Sequence, residues 1–232
     1  QVLEDYKYYD MKQKKQEGLG IQLNFESFHL LVFAFKENNI GHGLKHDSKL
    51  TVYLSFDFNV DPITAIAVQH GYKNGKLWIN VFKEFRLPSS DIYELTKEIR
   101  TYFYQTTYFL VTGDATGSAR SAMTKGHTNY YQIIKSELRL TNANFKVSRS
   151  NPSVKDSRAL MNTLFMREDF LVDDSCRYLL DDLRYVESDE HGLMDKKKAE
   201  ADGMGHLLDT LRYYCFKFHN RYLKNVPQKL LS

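Results

Sequence analysis

The chain has little with which to cross-link itself. Cys176 and Cys215 are its only cysteines in 232 residues. That is too few for a disulfide framework or a multi-thiolate zinc site. No apolar run reaches the roughly 20 residues that a membrane helix needs. No signal-peptide pattern is recognisable, so a reducing cytoplasm is the default compartment. Charge of one sign is also lacking: 32 Lys and Arg against 29 Asp and Glu leave a net charge of +3. The total therefore does not mark a nucleic-acid binder. A phosphate-binding Gly-x4-Gly-Lys-Ser/Thr loop is absent, so this chain is not expected to hydrolyse ATP by itself. No internal repeat is visible.

What is present suits one soluble domain with a solid core, or one domain plus a small appendage. The 16 Tyr and 15 Phe read first as core packing, with base stacking as the alternative. Charge is patterned locally. Between residues 138 and 155 stand Arg139, Lys146, Arg149 and Lys155 with no acid, and from Lys217 onward Lys217, Arg221, Lys224 and Lys229 with none. Such stretches suit contacts to phosphates, and equally a solvated face.

Residues 1–45 read as a linker or N-terminal extension, with an apolar patch at 28–35 that packs on the edge of a domain. The domain itself is expected over 46–232. Residues 51–59, 64–72 and 77–85 alternate as strands do, and Asn74-Gly75 between the last two favours a tight hairpin turn. A helix follows Pro88-Ser89-Ser90-Asp91, with Ile92, Leu95, Ile99 and Phe103 on one face and a serine as its cap. Residues 108–112 make a buried fourth strand. Helices are expected near 129–138, 153–167, 176–186 and 202–220, with a short strand at 145–147. Three antiparallel strands followed by alternating helices and strands define an α/β class with a mixed sheet.

Three carboxylates sit awkwardly for stability. Asp57 lies inside a strand-like run, where Asp is depleted and a lone buried carboxylate is costly without a partner or metal. An edge strand facing water would also explain it. Asp114 ends an apolar strand just before a Gly-rich turn. Ligands gather at such strand ends, although Asp also simply favours turns. Asp209 lies between leucines of a helix, and His206 at i−3 shares its face. Asp202 joins that face if the helix starts early enough, which Gly203 and Gly205 leave open. A surface polar stripe with Asp209 paired to Arg212 is the plainer reading. Glu84, near the end of the third strand, reads as structural. Hard divalent cations want oxygen ligands, and two such ions can serve phosphodiester hydrolysis.

These residues sit in motifs. Residues 55–65, Ser-Phe-Asp-Phe-Asn-Val-Asp-Pro-Ile-Thr-Ala, resemble the first nuclease motif of phage terminase large subunits. Residues 113–117, Gly-Asp-Ala-Thr-Gly, resemble their second acidic motif. Residues 206–213, His-Leu-Leu-Asp-Thr-Leu-Arg-Tyr, resemble their C-terminal motif. The resemblance covers roughly residues 50–218. It implies an RNase H-like fold, with Asp57, Asp114 and Asp209 holding two Mg²⁺ or Mn²⁺ ions and His206 beside them as a water-side ligand or proton shuttle. It implies an endonuclease acting on double-stranded DNA in viral genome packaging, in the host cytoplasm on the procapsid. The implied partners are an ATPase domain of the same polypeptide, whose missing end residues 1–45 would trail, and the portal and small terminase subunit. Lys196, Lys197, Lys198 and Arg149 are candidate DNA contacts. The competing readings are a related RNase H-like resolvase or integrase-type nuclease, and a non-catalytic DNA-binding assembly module.

Overall fold

The computed structural model describes residues 30–59, 61–103, 107–119, 128–189, 191–201 and 203–225. Six strands form one mixed sheet: β1 (Ile40–Gly41), β2 (Val52–Asp57), β3 (Ile63–Lys73), β4 (Lys76–Leu87), β5 (Phe109–Gly113) and β6 (Asp169–Asp173), in the order β1-β6-β4-β3-β2-β5. The β2–β3 and β3–β4 pairs are antiparallel, and β2–β5, β4–β6 and β1–β6 are parallel. Asn74 and Gly75 turn the β3–β4 hairpin with φ of 52° and 79°, the positive pair that Asn-Gly accepts at least cost. The helices are α1 (Ile92–Tyr102), α2 (Tyr130–Glu137), α3 (Val154–Arg167), α4 (Arg177–Tyr185), α5 (Lys196–Ala201) and α6 (His206–His219). No described helix is long and apolar enough to cross a membrane. The α/β class with a mixed sheet flanked by helices is as the sequence led us to expect.

Side-chain alternation along the strands assigns the two faces. Val52, Leu54 and Phe56 of β2, with Ala65 and Ala67 of β3, pack with Ile92, Leu95 and Ile99 of α1 and with Ile134 of α2. The opposite face of the sheet, with Ile66 and Val68 of β3, packs with Leu207, Leu208, Leu211 and Tyr214 of α6 and with Leu160 and Leu164 of α3. Ser55 belongs to this second face, and its hydroxyl donates to Thr210 O of α6 at 2.7 Å. Asp57, two residues on, must therefore also face α6.

Four details depart from expectation. The cap of α1 is Asp91, accepting from Tyr93 N at 2.9 Å and Glu94 N at 3.0 Å, and not a serine. β6 was not legible, because its five residues begin and end in aspartate. The strand expected at 145–147 is a single parallel bridge between Phe145 and Val111. Lys196 to Ala201, outside the helices expected from the sequence, is the short helix α5. Of the extension expected over 1–45, residues 30–45 are described. Leu31 and Val32 are buried in the α6-side core. Asn162 of α3 clamps this segment, accepting from Ala34 N at 2.8 Å and donating to Leu31 O at 3.0 Å. Ile40–Gly41 then pairs with β6. Residues 30–45 are thus part of the folded unit, and residues 1–29 lie outside the described residues.

The far end of α6 is pinned to β3 by a buried polar chain. His70 Nδ1 meets Tyr214 Oη at 2.7 Å, and Tyr214 Oη meets His219 Nε2 at 3.1 Å. Burial, helped by Arg221 for His70 and by His70 for His219, pushes these imidazoles down to about 4 and about 3. Each ring is neutral in the fold, whereas an unfolded histidine titrates near 6.5. The stabilisation is complete above pH 6.5 and is lost as pH falls from 6.5 toward 4, by about 1.4 kcal/mol per unit for each ring. Melting temperature measured from pH 7 to 4.5 should therefore fall less steeply in His70→Gln than in the parent. Parallel slopes would refute this assignment.

Candidate active site at the carboxyl ends of β2 and β5

Asp57 is the last residue of β2, and Phe56 pairs with Gly113 at the end of β5. Gly113 has φ of 146°, and a Cβ there would stand 2.3 Å from Phe56 O. Only glycine tolerates that approach. It lets Asp114 leave β5 alongside Asp57, with Asp114 N donating to Phe56 O at 2.9 Å. The Asp114 carboxylate then caps the turn that follows. It accepts from Thr116 N at 2.8 Å, Thr116 Oγ1 at 2.6 Å and Asn151 Nδ2 at 2.7 Å. Tyr131 of α2 donates its hydroxyl to Asp114 O at 2.8 Å.

The third carboxylate arrives on α6. Asp209 lies in its first turn and accepts from Arg212 Nε at 2.9 Å. Arg212 is itself held by Pro152 O and Ser157 Oγ at 3.2 and 3.1 Å. His206 brings Nδ1 to 3.9 Å from Asp57 Oδ2. Asn59 lies between them, donating to Asp57 Oδ2 and placing Nδ2 2.8 Å from His206 Nδ1. An amide N–H donating to Nδ1 leaves the ring proton on Nε2.

Electrostatics place the three carboxylates in one neighbourhood. Asp57 is 2% exposed, and its carboxyl is pushed up to about 8, first by burial and then by Asp209 and Asp114, with Arg212 and Lys196 opposing. Tyr131 and Tyr213 are held protonated well above the usual phenol range. Burial is the main cause, followed by Asp114 for Tyr131 and by Asp209 for Tyr213. Among the described residues no three His, Cys, Asp or Glu side chains already stand in ion-holding positions. Each acid instead keeps its own donors: Asn59 on Asp57, Arg212 on Asp209, and Thr116 with Asn151 on Asp114.

The basic candidates separate. Lys196 is exposed at the start of α5, near enough to Asp57 to act on its charge. Lys197 is exposed, whereas Lys198 Nζ pairs with Glu187. Arg149 is exposed, two residues before the Asn151 that holds Asp114. Asp202 lies outside the described residues.

Two further carboxylates form a relay: Glu84, read from the sequence as structural, and Asp182, which sequence reasoning missed. Neither α4 nor α6 has a side-chain cap from its own N-cap residue, Cys176 or Gly205. Glu84 of β4 supplies the first from a distance, accepting from Tyr178 N at 3.1 Å and Leu179 N at 2.8 Å. Asp182 of α4 supplies the second, accepting from Gly205 N at 2.8 Å and Leu208 N at 3.0 Å. Burial pushes Asp182 up to about 7 although these amides oppose it. Sheet, α4 and the N-terminal turn of α6 are thereby locked in order, and that turn carries His206 and Asp209. Nothing local in the sequence marks Asp182 or Asn151. Asn59, two residues after Asp57, was within reach of a closer reading.

No protein-family model matches the chain, and no curated protein does. Solved structures do: a phage large terminase and a phage large terminase nuclease domain share this fold. The chain is similar to the large terminase of a thermophilic bacteriophage in complex with ATP-gamma-S, with TM-score 0.59 at 13% identity over 93% of this chain and 54% of that one. It is similar to the P22 large terminase nuclease domain, with TM-score 0.57 at 12% identity over 85% of this chain and 96% of that one. A weaker likeness, TM-score 0.46 at 16% identity, is to the nuclease domain of the large terminase g2p from bacteriophage SPP1 with bound Mn, over 77% of this chain and 95% of that one. The chain therefore spans about half the length of the thermophilic phage's protein and nearly all of the P22 nuclease domain.

Proposed function

We propose that this chain is a divalent-metal-dependent endonuclease domain of a terminase large subunit, cutting double-stranded DNA during viral genome packaging. The observation that carries the reading is Asp57. It is a buried carboxylate, crowded by Asp209 and Asp114, at the carboxyl end of β2 beside the edge strand β5, in a fold shared with the P22 nuclease domain. A carboxyl raised this far lacks compensating positive charge. The donor set is all oxygen, which fits Mg²⁺ or Mn²⁺ better than a thiophilic ion. Asp57, Asp114 and Asp209 would hold two such ions. When bound, they would activate water and offset charge on the scissile phosphate.

The remaining side chains prepare that site. Arg212 orients Asp209, and Asn151 and Thr116 orient Asp114. Asn59 fixes the His206 ring with its proton on Nε2. Tyr131 and Tyr213 stay neutral and add no charge. Lys196, with Lys197, Lys198 and Arg149 further out, would draw in the DNA backbone without reading its sequence. An ATPase domain of the same polypeptide, the portal and the small terminase subunit complete the setting we propose, in the host cytoplasm.

Supercoiled plasmid incubated with the protein and Mn²⁺ or Mg²⁺ should be nicked and then linearised, and left intact with chelator. A protein that cuts with neither ion overturns the proposal. One that cuts four-way junctions and spares linear duplex points to the resolvase reading instead.

A further inference from the structure

No acid follows Asp209 in the sequence, while Lys217, Arg221, Lys224 and Lys229 do. The fold carries the first three to the end of the sheet away from the acids. α6 begins with His206 beside Asp57 and ends with His219, about 20 Å further on. There Arg221 lies over two rings, its Cζ 5.3 Å from the centre of Tyr72 and 5.4 Å from that of Tyr222, and the two hydroxyls stand 3.3 Å apart. Lys217, Arg221 and Lys224 are spaced i, i+4 and i+7, on one face of α6 and the 3-10 turn Asn220–Asn225 that continues it. Among the described residues none of the three forms an ion pair. Glu168 and Asp169, where the chain enters β6, are already engaged, by Leu77 N at 3.1 Å and Lys76 Nζ at 2.5 Å.

Apolar side chains crowd the same end of the sheet. Leu50 precedes β2, Tyr72 is next to last in β3, Tyr108 precedes β5, and Met166 stands three residues before β6. All four are exposed, Tyr72 and Tyr108 by more than half, at 52% and 57%. They are four of the seven large apolar side chains exposed among the described residues. β6, β4, β3, β2 and β5 are consecutive in the sheet, so at about 4.8 Å per strand the four spread over roughly 20 Å. Exposed apolar groups scattered singly are ordinary, whereas a cluster marks an interaction surface.

We infer that this end of the sheet docks a partner protein through an acidic segment that also carries apolar side chains. Carboxylates would answer Lys217, Lys224 and the guanidinium fork of Arg221, which suits bidentate contact. Tyrosine and arginine together are the residues that dominate binding energy at protein interfaces. A width of roughly 20 Å fits the roughly 800 Å² that one partner contributes to a standard interface. A nucleic-acid backbone would meet the cations and leave Leu50 and Met166 uncovered, and DNA held at the acids lies at the opposite end of the sheet. The inference goes beyond the endonuclease reading and does not depend on it.

A labelled synthetic peptide with Glu along one helical face and Leu and Phe along the other serves as probe, its binding to the intact chain followed by anisotropy. It should bind, and more weakly as salt rises. Arg221→Gln and Tyr72→Ala should each weaken binding about tenfold. Lys97→Gln, on α1 where Lys97 pairs with Glu94, should leave it unchanged. A peptide with Ser in place of Leu and Phe should no longer bind. Both surface variants should cut plasmid as the parent does. A probe that fails to bind, or binds both variants as it binds the parent, overturns the inference. So does a labelled duplex that displaces the peptide and loses affinity in the same variants, which would make this a nucleic-acid surface. Sedimentation showing a dimer that Tyr72→Ala dissociates would give the face to a second copy instead, and overturn it too. A parent that binds the peptide through these residues and never cuts plasmid would remove the endonuclease reading and leave this surface standing.

Discussion

Asp57→Asn is expected to abolish Mn²⁺- and Mg²⁺-dependent cleavage and, without metal, to raise the melting temperature at pH 8 and above. The first effect follows from removing a ligand. Several kcal/mol of charge stabilisation would be lost, roughly 10³-fold in rate or more. The second follows from the carboxyl's raised titration. Its folded value of about 8 lies far above the 3.8 of a free side chain, so the fold binds a proton that the unfolded chain releases. Stability therefore increases as pH falls from 8 toward 3.8, and above pH 8 the charge weighs fully against folding. Asparagine keeps the shape and carries no charge. It should stabilise the metal-free protein by roughly 2–4 kcal/mol at high pH, less than the whole shift implies because the amide must also be desolvated. The gain should fade toward pH 5. Cleavage assays and thermal melts at pH 5, 7 and 8.5 check both halves. A variant that cuts at the parent rate, or melts below the parent at pH 8.5, refutes this reading of Asp57. Asp209→Ala should lose cleavage too but melt lower, because it strips Arg212, only 5% exposed, of its carboxylate.

Asp182→Ala should be the most damaging substitution away from the acids themselves. Two buried amides, those of Gly205 and Leu208, would lose their acceptor. At about 1–3 kcal/mol each, the loss approaches a third of a typical domain's stability. Freed at its N-terminus, α6 would no longer hold His206 and Asp209 in place against β2. Mn²⁺ affinity should fall roughly 10- to 100-fold, the usual effect of losing an outer-shell support. Calorimetric Mn²⁺ titration and denaturant unfolding separate the two roles. Lower stability with unchanged Mn²⁺ affinity would reduce Asp182 to a helix cap.

Sequence reading reached the meander, its Asn-Gly turn, α1 and the buried strand β5, because each is written in neighbouring residues. Alternation sets a strand's two faces, and helical spacing sets a stripe. It failed where partners are distant in sequence. β6 is too short and too acidic at its ends to signal itself, and is a strand because β4 and β1 flank it. Residues 28–35 showed an apolar patch, but only Asn162 and the pairing of residues 40–41 with β6 show how residues 30–45 join the core.

The oddity of Asp57, Asp114 and Asp209 was visible one residue at a time, since a carboxylate amid apolar neighbours costs free energy wherever it ends up. Their meeting was not, because it needs β5 to lie beside β2 and α6 to cross that same face. The chain alone thus determined its elements and its anomalous acids. Only tertiary packing decided that those acids share a field and which donors hold each one, because charge coupling depends on distance through space and not on separation along the chain.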